Sequence, residues 1–184
     1  MRTLTLMRHA KSDWPMAVPG SAPLPDKQRP LSRRGVRDAP RMGAWMAAAH
    51  VRPDLILCST AVRTRQTLAL VSQYIAGEKQ IIEMRNELYL AGYDELIKLV
   101  RATPDHVEHV MLLGHNPGLH ELAHELIGAG NIESRRALAS KFPTAGVVVI
   151  DFAFDSWQSL GLGTGTLRHF TAPKQLAASE IDAG

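Results

Sequence analysis

Three short apolar runs in this 184-residue chain each give way to an arginine or a histidine. The first, residues 4–9, reads Leu-Thr-Leu-Met-Arg-His and delivers Arg8 and His9 side by side. The second, 54–59, breaks into a polar helix start that carries Arg63; the third, 110–114, breaks directly into His115. Runs of this length suit buried strands, and the stretches between them place apolar side chains at helical spacing. Strands alternating with helices predict a mostly parallel sheet covered on both faces. In such sheets ligands bind beyond the carboxyl ends of the strands. The pattern therefore offers two arginines and two histidines to one site.

The remaining elements follow from local signals. Ser32 can cap a helix running to about His50, with Met42, Trp45, Met46 and Ala49 on one side and a kink or split expected at Pro40. A second helix is predicted from Thr60 to about Ile75, facing inward through Val62, Leu68, Val71 and Ile75. A short strand at 80–84, helices near 93–102 and 119–127, and two final strands at 146–154 and 165–170 complete the list. The final pair is expected to be antiparallel. Five prolines at 15–31 read as a long surface loop leaving directly from Arg8 and His9. One domain is expected over 1–171, with 172–184 a loosely held tail.

Arg8, His9, Arg63 and His115 suit a phosphate. Arginine presents a planar fork of donors that matches phosphate oxygens bidentately and stays charged. Two forks would stabilise charge on the equatorial oxygens during transfer. They would also disfavour a proton on His9, keeping it neutral and nucleophilic. A second imidazole, at His115, could donate to the same group. Attack by histidine splits one difficult displacement into two easier ones.

At these residues the chain resembles the histidine phosphatase superfamily, also called phosphoglycerate mutase-like. The resemblance lies in Leu6-Met7-Arg8-His9-Ala10, in Ser59, Arg63 and Thr67 spaced S-x-x-x-R-x-x-x-T, and in Gly114-His115. The segments RHAKSDW (8–14), RPLSRRG (29–35) and LLGHNPGL (112–119) are similar to the SixA-type phosphohistidine phosphatases. The resemblance implies a three-layer α/β/α sandwich with a mostly parallel central sheet. It implies His9 as the phosphorylated nucleophile, with Arg8, Arg63 and His115 forming the phosphate pocket. Glu87, just before Leu88-Tyr89, resembles the acidic residue of mutase-like members and is the implied general acid. Two positions depart from the pattern: Ala10 stands where many relatives have glycine, and Pro15 where mutase-like members have asparagine.

Other residues carry plainer readings. Ser12, close behind the nucleophile, is a candidate substrate contact. Ser59 is read as the cap of the following helix, Arg65 as solvated, and Arg29 and Ser32 as turn and cap residues. Backbone amides at 116–118 open a helix and could face an anion. Cys58, the one cysteine, lies in an apolar run and is read as a buried inert thiol. His120-Glu-Leu-Ala-His124 matches the zinc motif H-E-x-x-H, but its histidines flank an apolar stripe and no third ligand follows at a zincin-like spacing. No metal or cofactor is expected.

A formal charge of +3, with acids scattered among the bases, excludes a nucleic-acid-binding block. No segment is long and apolar enough for a signal peptide or a membrane span, so a cytoplasmic location is expected. The sequence thus predicts a metal-independent phosphatase acting on phosphohistidine in proteins. The alternatives are a phosphatase of small phosphate esters and a non-catalytic phospho-ligand binding module. Only a modest segment separates Arg63 from His115, which predicts a shallow, open pocket.

Overall fold

The computed structural model describes residues 1–14 and 22–176. Its strands are β1 (Arg2–Arg8), β2 (Leu55–Ser59), β3 (Ile81–Arg85), β4 (His109–Gly114), β5 (Ile127–Gly130), β6 (Val147–Phe152) and β7 (Gly165–Thr171). The helices are α1 (Arg33–Ala48), α2 (Val62–Ile75), α3 (Tyr93–Arg101), α4 (Gly118–Leu126) and α5 (Ile132–Ser140). The strands form a single sheet in the order β3-β2-β4-β1-β6-β7-β5. Neighbours from β3 to β1 are parallel, β6 runs antiparallel to β1 and to β7, and β5 runs parallel to β7. The expected antiparallel pairing of the last two long strands is therefore present.

Period-two alternation sorts the strand side chains into two cores. Leu4 and Leu6, Leu55 and Leu57, Val110 and Leu112, and Val148 and Ile150 feed one face, which α3, α4 and α5 cover. Met7, Ile56 and Cys58, Met111 and Leu113, and Val147 and Val149 feed the other, under α1 and α2. Strands buried on both faces read as continuous apolar runs, which is how they stand in the sequence. Each fully buried Leu, Ile, Val or Met contributes about 1.5–3 kcal/mol by leaving water. The result is an α/β/α sandwich with a mostly parallel central sheet.

Several local expectations are corrected. Helix α1 does not split: it runs unbroken through Pro40. The proline removes one bond, to the carbonyl of Val36, a residue exposed enough for water to replace it. Burial of Ala39, Met42 and Met46 on either side holds the helix together. Strand β5 and helix α5 have no counterpart among the expectations. β5 reads Ile-Gly-Ala-Gly with only Ile127 buried, and α5 buries only Leu138, so neither shows an apolar period. The expected tail begins with a short helical turn. Residues 173–176 are helical and Leu176 packs against the α1–α2 core; residues 177–184 lie outside the described residues. No helix among the described residues is long and apolar enough to cross a membrane.

Candidate active site

β1 and β4 lie side by side with Arg8 opposite Gly114, so His9 and His115 leave the sheet together. Their ring centroids are 5.3 Å apart. The backbone after β1 is fixed from three directions. His9 N–H donates to Gly114 O at 3.1 Å, Ala145 N–H donates to His9 O at 3.0 Å, and Ala10 N–H donates to Thr67 Oγ1 at 3.0 Å. Thr67 Oγ1 donates in turn to Arg63 O at 2.7 Å, which ties α2 to the end of β1. Gly35 completes the frame. A side chain there would meet Lys11 O at 2.2 Å, so only glycine lets α1 pack against the chain behind His9.

Arg8, His9, Arg63 and His115 line one cleft of about 290 Å³, together with Lys11, Ser12, Asp26, Arg29, Leu90, Asn116 and Thr144. His9 Nδ1 lies 2.7 Å from Ala10 O, so Nδ1 carries the proton and Nε2 keeps its lone pair. Arg8 donates to Phe142 O at 2.9 Å, and Asn116 Nδ2 donates to the same carbonyl at 3.0 Å. The Nε–H groups of Arg8 and Arg63 are buried and have no partner among the described residues. Both guanidinium groups line the cleft, and planar forks of donors of this kind suit an anion.

Both nitrogens of His115 are engaged. Arg63 donates to Nδ1 at 3.3 Å, and Nε2 meets Ser59 Oγ at 2.8 Å. Arginine cannot accept, so the neutral ring accepts at Nδ1 and donates from Nε2 to Ser59. Ser59 is thus a positioning group for His115 and not the expected helix cap. The residue before α2 is Ala61, which offers no side-chain cap. Ser59→Ala should lower kcat/KM roughly tenfold, about 1.4 kcal/mol at the transition state, and lower the melting temperature by a few degrees because the buried Nε2–H of His115 loses its acceptor. Activity within twofold of the parent would assign Ser59 to packing alone.

Burial pushes His9 down to about 4, and the nearby Arg63, Arg8 and Arg29 charges add to it. Burial likewise lowers His115 to about 3, helped by His9 and Arg63. Both rings are neutral at pH 7. Because the unfolded chain titrates near 6.5, it takes up protons that the folded chain refuses between about pH 6.5 and about pH 3–4. Stability is therefore full above pH 6.5 and falls as pH drops through that window. Melting temperatures measured at pH 7, 6 and 5 should decline in step, and a flat series would contradict a buried neutral pair.

The return limb of the long loop supplies what sequence reasoning missed. Asp26–Gln28 forms a 3-10 turn over the cleft. Arg63 donates to Asp26 O at 2.7 Å and to Oδ2 at 3.0 Å, Tyr89 Oη donates to Oδ2 at 2.7 Å, and Arg29 donates to Oδ1 at 3.0 Å. Burial alone would raise the Asp26 carboxyl, but hydrogen bonds from Tyr89, Arg29 and Arg63 outweigh it and hold it down to about 2. Arg29 also donates to Ser12 Oγ at 2.8 Å and stacks on Trp14 at 3.4 Å. Arg29 is thus a third cleft arginine and more than a turn residue. The one available signal was the Asp26-x-x-Arg29 spacing. Asp26 and Arg29 of this limb line the cleft; the loop tip, 15–21, lies outside the described residues.

Other expectations separate cleanly. Ser12 lines the cleft, as a substrate contact must. Glu87 does not: it is exposed on the 3-10 turn Asn86–Leu88 and is absent from the cleft lining. The strand-to-turn path from β3 points the buried Leu88 inward and leaves Glu87 in solvent, so the acid role expected for it lacks a geometric basis. Arg65 is exposed, and Cys58 is buried with its thiol pushed up to about 12 by desolvation. The first imidazole of the H-E-x-x-H segment is committed to Leu138 O at 2.6 Å. Among the described residues no group of three or more His, Cys, Asp or Glu could hold a metal ion.

An uncharacterized protein of Mycobacterium leprae is 34% identical over 169 residues, spanning 91% of this chain and all of its own. The solved structure of a candidate phosphohistidine phosphatase SixA from Nakamurella multipartitia is similar at a TM-score of 0.76 and 32% identity, over 94% of this chain and 96% of its own. A candidate SixA from Agrobacterium tumefaciens gives 0.75 and 34%, over 94% and 98%. The sequence profile of the histidine phosphatase superfamily (branch 1) matches residues 4–106. With that match, and with an Arg-His pair and a second histidine meeting at two adjacent strand ends, the chain belongs to the histidine phosphatase superfamily and is a phosphohydrolase of the SixA type.

Proposed function

We propose that this phosphohydrolase removes phosphoryl groups from phosphohistidine carried on proteins, by way of a covalent intermediate on His9. The lone pair of His9 Nε2 attacks phosphorus, since Nδ1–H is held by Ala10 O. The new N–P bond forms as the substrate P–N bond breaks and its imidazole departs. The cleft-lining guanidinium groups of Arg8 and Arg63 receive phosphoryl oxygens, His115 backs Arg63, and Ser12 with Arg29 forms the outer wall. Water then attacks the same phosphorus, releasing phosphate and restoring His9.

The state of Asp26 carries the choice of substrate. It is the one carboxylate lining the cleft among the described residues, and its neighbours hold it ionised down to about pH 2. At neutral pH it has no proton to give. An alkoxide leaving group, comparable in basicity to hydroxide (pKa of water about 15.7), needs that proton. An imidazole brings its own, because its second nitrogen protonates near pH 6.5. A substrate presented on a protein surface also fits the rim, where Trp14 is 66% and Leu90 53% exposed. Exposed apolar side chains beside a site are suited to contact a polypeptide.

The test compares kcat/KM for a phosphohistidine peptide, a phosphoserine peptide of the same sequence and a hexose phosphate. The phosphohistidine peptide should lead both esters by about 100-fold, as for a leaving group spared a missing general acid. A hexose phosphate that outperforms both peptides would transfer the assignment to small phosphate esters, with the Asp26–Arg29 limb as the enclosing wall. Phosphate release from none of the three, with tight retention of the peptide, would favour a binding module.

A further inference from the structure

We propose that the groove between α4 and α5 is a second ligand site, which takes one small monocarboxylate with an apolar tail. The two helices pack sparingly, since α5 buries only Leu138. Between them lies a cavity of about 310 Å³ that shares no lining residue with the catalytic cleft. Pockets for small ligands begin at about 300 Å³, and a helix about 10 Å across would fit less than one turn into this one. A small molecule is therefore the occupant, not a partner's helix. The floor is apolar, made by the buried Ala123, Ile127 and Leu138. Ile132 lines the same cavity and is 58% exposed, so it is free to close over a tail. An apolar chain laid on this floor leaves water and gains by its burial.

Charge selects the head group and its orientation. Arg135 and Arg136 both line the cavity. Neither guanidinium has an ion-pair or hydrogen-bond partner among the described residues, although Glu133 stands one turn before Arg136. Two adjacent cations beside an apolar floor repel each other, and a carboxylate shared between them relieves that repulsion through charge-assisted bonds. His124 and Ala139 line this cavity and also the next one along the groove, whose other walls are His120, Glu121 and Glu125. The groove is thus cationic at one end and acidic at the other. A carboxylate head settles on the arginines, and its tail runs along the floor toward Ala139. A second carboxylate at the far end of the ligand would be carried toward Glu121 and Glu125. The groove therefore prefers a monoanion to a dicarboxylate of the same length.

Isothermal titration of the full chain with octanoate tests the site. One molecule should bind per chain, with Kd on the order of 100 μM for a ligand of this size. Octanol, which lacks the charged head, and octanedioate, which carries one at each end, should each bind at least about tenfold more weakly. Arg135→Ala combined with Arg136→Ala should weaken octanoate by at least about tenfold, as for losing charge-assisted bonds to the head. Ala139→Phe should do the same while keeping both arginines, because it fills the groove. Ala139 is exposed, so that variant should fold, and its melting curve checks this. Arg63→Ala, which alters the catalytic cleft alone, should bind octanoate as the parent does. The inference is overturned if no binding is found up to about 5 mM octanoate, or if octanol or octanedioate binds as tightly. It is equally overturned if the affinity survives loss of the arginine pair or Ala139→Phe, or if Arg63→Ala abolishes it, which would put the ligand in the catalytic cleft.

Discussion

Replacing His9 by alanine is expected to abolish turnover, by at least about 10⁴-fold in kcat, the scale seen when the nucleophile of a covalent mechanism is removed. Water would then have to attack the substrate directly, at a phosphoryl group with no departing enzyme nitrogen. His115 is no substitute, since Arg63 and Ser59 occupy its two nitrogens. The fold should survive. The side-chain bond of His9 is to the carbonyl of its own neighbour Ala10, and its backbone bonds to Gly114 and Ala145 do not involve the ring. Removing a buried imidazole held at about 4 should also make the protein less sensitive to acid. In the parent, rapid quench should trap label that is stable to alkali and lost in acid, the behaviour of phosphohistidine; in His9→Ala it should be absent. Residual activity near the parent's, or label recovered as an acid-stable ester, would remove His9 from the mechanism.

Arg63→Ala should cost about 10²–10³-fold in kcat/KM, chiefly through kcat, as for the loss of one preorganised donor at developing charge. Arg63 is 3% exposed and joins three parts of the site: the Asp26 limb, His115 and the open end of the cleft. Its loss frees His115 Nδ1 and leaves Asp26 with only Arg29 and Tyr89. Arg63→Lys should recover little. A single ammonium cannot reach the Asp26 carbonyl, the Asp26 carboxylate and a phosphoryl oxygen at once, whereas a planar fork can. Initial rates over a range of substrate, with melting curves for both variants, decide the matter. A lysine variant within tenfold of the parent would mean that charge suffices and the fork does not matter.

The residues legible from sequence were those whose role is announced by the chain around them. Arg8, His9 and His115 stand where apolar strands stop, and a strand buried on both faces has nowhere else to put a cation or an imidazole. Arg63 was legible through its spacing between Ser59 and Thr67 on the turn and helix after β2. What they do to one another was not legible. Ser59 reads as a helix cap until His115, 56 residues away, is seen beside it. Glu87 reads as an acid at the cleft until its turn leaves it in solvent.

The layered architecture and the end of the sheet where the chemistry collects are written in the order of residues, because period-two and helical patterns are local and each commits its segment to a face. Which groups of the proline-rich loop return to that end is settled only by long-range packing. Asp26 and Arg29 carry no period and no strand, and their positions come from the Asp26–Arg63 ion pair and the Arg29 bond to Ser12, made across 37 and 17 residues of chain. The same holds for β5 and α5, whose few buried side chains leave no pattern. Burial and charge pairing between distant segments fix these features, and such contacts leave no repeat in the order of residues.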